Sequence, residues 1–181
     1  MTQSSLVSNT SESSDSTPLP AVEQFLRFQL VPGKVALLPL TQLAEVLTIP
    51  VGQITPIPQL SHWMMGVYNW RGEALWMVDL AHLVGLTPWH QQAISTTYTA
   101  VVLRTGEADT LVMHAADQAI GLVINRAEAI ERCDPDRLQS PSGAADPRLV
   151  PFLRGYYRPT EGDQLAVFDD KIIISAICGN R

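Results

Sequence analysis

Cysteine is nearly absent: the chain holds two, Cys133 and Cys178. They lie far apart with no CxxC companion, which excludes a disulfide framework and a zinc site of the usual spacing. Both are expected to be small buried hydrophobes in a reducing compartment. Basic residues are also few, 12 Lys and Arg against 18 Asp and Glu, for a net charge of -6. A sequence-independent nucleic-acid binder needs a basic surface to displace counterions, so this balance argues against that class, though not against a local basic patch. No apolar run approaches the ~18 residues of a membrane-spanning helix. The N-terminus has neither a charged n-region nor a sustained apolar h-region, so no signal peptide is expected and the cytoplasm is the default. The four histidines, His62, His82, His90 and His114, form no HxxxH or HExxH pair, and no GxSxG, P-loop or GxGxxG occurs. No catalytic set, metal or cofactor is expected.

What remains is apolar. Hydrophobic residues make up 46% and charged residues 17%, which suits a protein with a real core, arranged as one domain or two small ones. Residues 1–20 are the exception. They are rich in Ser and Thr, cannot bury enough apolar surface to offset their ordering entropy, and are expected to be a disordered tail. Residues 21–181 carry the fold.

Phe25 to Leu30 alternates apolar and polar, Pro32-Gly33 is a turn, and Val35 to Leu38 returns, which predicts a hairpin. Leu40 to Leu47, LTQLAEVL, suits either a short helix ended by Pro50 or a bent strand. Pro56 and Pro58 mark an extended segment outside any central strand. Further strands are predicted at Tyr98 to Arg104, Thr110 to His114, Ala119 to Ile124, Gly155 to Tyr157, Gln164 to Asp169 and Lys171 to Ile177. Ala116-Asp117 is a predicted turn, and Cys133 to Pro151, with four prolines, a loop.

The chain is organised around Gly66 to Gly85, GVYNWRGEALWMVDLAHLVG. An apolar step, Gly66-Val67-Tyr68, leads to a turn at Asn69-Trp70-Arg71-Gly72. Ala74 to Val78 follows as a buried strand, and Asp79 caps a short helix, Leu80 to Val84, closed by Gly85. Asn69 and Gly72 tolerate positive φ and bracket the tip. Arg71 on that tip is either a solvated turn residue or a donor to a partner carboxylate. Trp63 and Trp70, on loops, are either contact residues or partly exposed packing residues; Trp76 is expected in the core.

Two comparisons indicate an internal repeat. Gly66-Val67-Tyr68 with Leu75 to Asp79 resembles Gly155-Tyr156-Tyr157 with Leu165 to Asp169. VALLPLTQLAEVL resembles AIGLVINRAEAIE. The same order of hairpin, leucine-type segment, Pro-rich extension and glycine hairpin recurs in both halves. This predicts an all-β chain of two packed subdomains, roughly 35–97 and 98–178. Each has about five short strands, and a groove lies between them.

The series FLRFQL, VALLPLTQLAEVL, IPQL and MMGVYNWRGEALWMVDLAHLVGL resembles the CheW family of coupling proteins. The resemblance covers about residues 22–178. It implies two intertwined five-stranded SH3-like barrels with short helices, and a non-enzymatic adaptor that joins chemoreceptor tips to the regulatory domain of a CheA-type histidine kinase. By resemblance, Arg71, Asn69 and Gly66 belong to a receptor-facing region near the groove, with Trp70 where the family usually has leucine. Leu43, Glu45 and Val46 match the segment that meets the kinase. A small β-barrel enzyme or ligand carrier using the groove, and a paralogue that binds kinase alone, are the competing readings.

Overall fold

In the computed structural model, which describes residues 22–92, 95–105, 119–141, 146–159 and 164–179, the alternation of FLRFQL forms β1, Glu23–Val31. The chain turns at Gly33 and returns as β2, Lys34–Pro39. LTQLAEVL resolves in favour of the bent strand: β3 is Leu43–Pro50, with a bulge between Leu43 and Glu45. Next come β4 (Met64–Trp70), β5 (Glu73–Asp79) and the one-turn helix α1 (Leu80–Leu83). The second half follows with β6 (Thr97–Arg104), β7 (Ala119–Ile124), β8 (Arg126–Cys133), β9 (Leu153–Tyr157), β10 (Leu165–Phe168) and α2 (Asp170–Gly179). The strand predicted at Thr110 to His114, the turn at Ala116-Asp117 and the tail of residues 1–20 lie outside the described residues.

The protein is mainly β, with two five-stranded sheets. Sheet A runs β8-β1-β2-β10-β9 and sheet B runs β3-β6-β7-β5-β4. Each hairpin that opens one half of the chain therefore lies in the sheet completed by the other half. β1 and β2 join β8, β9 and β10, while β6 and β7 join β3, β4 and β5. The junctions are parallel and share one register: Ala36 and Leu37 face Ala166 and Val167, as Ile120 and Gly121 face Trp76 and Met77. The bulges match too, with Ala44 as the extra residue on β3 and Glu128 on β8. The repeat is thus a repeat of backbone geometry.

Both faces of most strands are buried, because each sheet curls round an interior and also packs on its neighbour. On β6, Ala100 and Val102 face the interior of sheet B, whereas Val101 and Leu103 face the layer between the sheets. On β1, Phe25 faces the interior of sheet A, while Leu26, Phe28 and Leu30 face the shared layer. At ~25 cal/mol per Å² of apolar surface removed from water, this shared layer holds the two sheets together.

One element departs from expectation. Lys171 to Ile177 is part of α2 and not a strand, despite its isoleucines. Ile173, Ile174, Ile177 and Cys178 are the buried apolar positions, a helical spacing. The Asp169 carboxylate accepts from the Ile172 N–H at 3.0 Å and starts the helix. Asp79 does the same for α1, accepting from the His82 N–H at 3.1 Å. Capping and face spacing override the β propensity of isoleucine.

Candidate functional site at the β4–β5 hairpin

Trp70 pairs with Glu73 across a two-residue turn. The positive φ values belong to Arg71, at 55°, and Gly72, at 88°. Both central residues are therefore left-handed, as a turn matching the strand twist requires. Asn69 does not take that conformation. It stays in β4, and its Oδ1 accepts from the Gly72 N–H at 3.0 Å. A left-handed arginine costs roughly 1–2 kcal/mol, and its side-chain contacts offset part of that.

Those contacts are made to Glu45, 26 residues earlier on β3. The Arg71 Nη2 donates to Glu45 Oε2 at 3.0 Å, and the Trp70 indole N–H donates to Glu45 Oε1. The guanidinium carbon of Arg71 lies 5.1 Å from the centre of the Trp70 ring. Trp70 thus gives the carboxylate a second donor. β3 and β4 are the two edges of sheet B, so this cluster ties the sheet's edges together. The Arg71 side chain remains 70% exposed and that of Glu45 28%. Neither Glu73 nor Asp79 is the partner of Arg71. Asp79 is 3% exposed, and its second oxygen accepts from the Trp89 N–H at 2.7 Å.

Gly66 works through its backbone. Its φ is 133°, and a Cβ there would sit 2.1 Å from the Thr55 carbonyl oxygen. Thr55 and Val67 exchange backbone hydrogen bonds of 2.8 and 2.9 Å over this glycine. Gly155 occupies the equivalent place: Gln139 and Tyr156 exchange two bonds of 2.8 Å, and a Cβ would lie 2.9 Å from the Gln139 oxygen.

The residues of β3 diverge in direction. Leu43 packs against the layer between the sheets, Glu45 turns to the hairpin, and Val46 is 40% exposed. Arg71 and Trp70 thus adjoin Glu45, so the regions that resemblance assigns to receptor and to kinase meet in one cluster. Trp63 is buried in the core and not on a contact surface, while Trp76 is only partly buried. The rings of His62 and His82 meet at 4.5 Å, although the sequence shows them as scattered. No third metal-ligating group joins them among the described residues.

Sequence reasoning missed a polar staple between the halves. Asp146 accepts from Lys34 at 2.8 Å and from two nitrogens of Arg148 at 2.9 and 3.0 Å. Arg148 also donates to the Gly85 carbonyl at 3.2 Å, tying the staple to the end of α1. The Arg148 and Lys34 donors hold the Asp146 carboxyl well below the usual carboxylate range.

A family model described as the CheW-like domain matches residues 24–177. The chain belongs to this family. A solved structure, the scaffolding protein TtCheW from Thermoanaerobacter tengcongensis, has the same fold as this CheW-like chain. The TM-score is 0.62 at 16% identity, over 81% of this chain and 88% of that one. No curated protein gave a significant match. No helix among the described residues of the CheW-like domain is long and apolar enough to cross a membrane.

Proposed function

We propose that this CheW-like protein is a non-enzymatic adaptor of a chemosensory array. In this reading it couples the cytoplasmic tips of methyl-accepting chemoreceptors to the regulatory domain of a CheA-type histidine kinase. It works in the cytoplasm and is recruited to membrane-associated arrays. Family membership across residues 24–177 supports the scaffold class. The observation that carries the finer reading is the Arg71 guanidinium, held on a rigid two-residue turn yet 70% exposed. A fork of donors fixed in this way suits a carboxylate on a partner helix.

Arg71, Asn69 and Trp70 face the receptor, and Gly66 sets the backbone beneath them. Leu43, Glu45 and Val46 belong to the kinase side, with Val46 the apolar contact. Calorimetry with the two partner fragments tests the reading. Arg71→Glu breaks the exposed pair with Glu45 and should cost about 1 kcal/mol of folding stability, while receptor affinity falls ~30-fold. Kinase affinity should fall far less, since Trp70 still holds Glu45. Glu45→Lys should weaken kinase binding, and receptor binding too, because it removes the anchor of Arg71. A parent chain that binds kinase and no receptor would identify a kinase-only paralogue; one that binds neither would sink the proposal.

A further inference from the structure

The two sheets carry the same bulge but not the same charges around it. In sheet A the bulge residue is Glu128, and it gathers the polar groups of its surroundings. It accepts from Arg27 at 3.1 Å, from Gln29 at 2.9 Å and from Arg126 at 3.2 Å. In sheet B the bulge residue is Ala44. Gln29 faces Val35 on β2; the matching residue of sheet B is Arg104, which faces Ala119 on β7. The backbone confirms the equivalence, for the Arg104 N–H donates to the Gln42 carbonyl at 2.8 Å where Gln29 pairs with Arg126. At these two matched positions sheet A has a carboxylate and a neutral amide, while sheet B has a methyl group and a cation. Arg104 makes no ion pair among the described residues.

The side chain of Arg104 lines an open cleft of about 220 Å³. Trp70, Arg71, Glu73 and Ala119 line it too. Two guanidinium groups thus border one cleft in a chain of net charge -6. Arg71 is tied to Glu45 through one nitrogen, and its fork has further donors to offer. Glu73 shares the cleft, so a compact polyanion such as phosphate would meet a carboxylate beside its cations. Carboxylates spaced along a chain can straddle Glu73.

We infer that this cleft docks an acidic protein segment that presents two carboxylates, one to Arg104 and one to Arg71. The inference rests on the receptor-coupling reading and makes that segment part of the receptor tip. In sheet A the Glu128 carboxylate sits against Gln29; in sheet B a carboxylate of the partner takes the matching place against Arg104.

The test is binding of the full chain to a receptor-tip fragment across a salt series. Variants are Arg104→Glu, Arg104→Gln and Arg104→Lys, with Arg132→Glu on β8 as a control for net charge. Circular dichroism checks folding, and the neutral Gln variant serves if the Glu variant does not fold. Arg104→Glu should lose ~10-fold or more in affinity, Arg104→Lys should keep most of it, and Arg132→Glu should match the parent. The salt dependence should be shallower in Arg104→Gln than in the parent. Arg104 variants that bind within about twofold of the parent, or an equal loss in Arg132→Glu, would overturn the cleft. A parent that binds no receptor fragment would refute the coupling reading instead. A helical peptide with Glu at i and i+4 then decides the cleft separately. Binding that shifts the Trp70 indole N–H resonance and is lost in Arg104→Glu supports it, and absence of binding overturns it. Inorganic phosphate displacing that peptide at matched ionic strength would also overturn the acidic-segment assignment.

Discussion

Sheet A and sheet B share strand order, parallel junction, bulge position, bridged glycine and Asp-capped helix, yet they treat the ends of those helices differently. Over α1, the connector after Gly85 folds back: the Trp89 N–H caps Asp79, and the Trp89 ring lies 4.3 Å from that of Tyr98. Burial and the nearby Asp79 charge raise the Tyr98 hydroxyl above its ordinary pKa. At the start of α2 there is instead an open cavity of about 320 Å³, lined by Glu23, Arg154, Asp169, Asp170 and Lys171 among others. Arg154 and Glu23 pair there at 2.6 and 3.1 Å. The duplicated backbone fixes where a cap or a bulge must fall. Whether the place becomes core or surface depends on what the following segment lays over it.

The glycines give the largest test of that comparison. Gly66→Ala should cost about 3 kcal/mol or more, because it adds both a left-handed strain and a clash with backbone. Gly155→Ala should cost about 1–2 kcal/mol, from the tighter contact alone. Equal midpoints and slopes in urea unfolding would show that the two bridges are energetically the same. The caps come next. Asp79→Ala orphans two N–H groups in a buried setting and should cost about 2–3 kcal/mol. Asp169→Ala removes one cap bond of α2 and should cost about 1 kcal/mol. Thermal melts with matched baselines would reveal a reversed order.

Two carboxyls should then respond to pH with opposite signs. The folded pKa of Asp146 is depressed by Arg148 and Lys34, so its contribution is present above the unfolded value of ~3.9 and is lost as pH falls below it. Asp146→Asn should lower stability at neutral pH and flatten the acid limb. Burial raises the folded pKa of Asp170, so its ionised form opposes folding at neutral pH, and protonation on acidification relieves this. Asp170→Asn should leave neutral-pH stability equal or higher. Denaturant midpoints at successive pH values check both, and parallel curves for the two variants would contradict the assignment. The smallest effect belongs to the surface clusters: Glu45→Ala and Glu128→Ala should each cost within ~1 kcal/mol, as exposed pairs do. A loss well above that in calorimetry would make either cluster a structural anchor.

The repeat was legible because glycine and aspartate mark positions where backbone geometry leaves few alternatives. β1, β2, β7 and the hairpin around Arg71 followed from alternation and turn chemistry. The exchange of hairpins between halves leaves no local trace in the residues, since pairing between β2 and β10 spans most of the chain; only the family resemblance implied intertwined barrels. KIIISAIC misled through β-branched propensity, although the spacing of Ile173, Ile174, Ile177 and Cys178 after Asp169 held the helical signal. At the site, the exposure of Arg71 could be read from its turn. Its partner Glu45 could not, because a bulge on a distant edge strand sets that contact. Arg104 was passed over as an ordinary strand end. Setting it beside Gln29, and Ala44 beside Glu128, shows a charge without an ion-pair partner among the described residues.

The exchanged hairpins also constrain how the protein is made. On a ribosome, β1 and β2 emerge before the other described strands, with Phe25, Phe28 and Leu37 needing cover. Their neighbours β8, β9 and β10 follow about a hundred residues or more later, which at ~5–20 residues per second is a wait of roughly 5–20 seconds or more. Sheet B, built from β3 to β7, is complete before sheet A has received its last strands. The nascent N-terminal hairpin therefore passes through synthesis as an unclosed apolar ribbon, and folding of sheet A is committed only when Phe168 has left the exit tunnel.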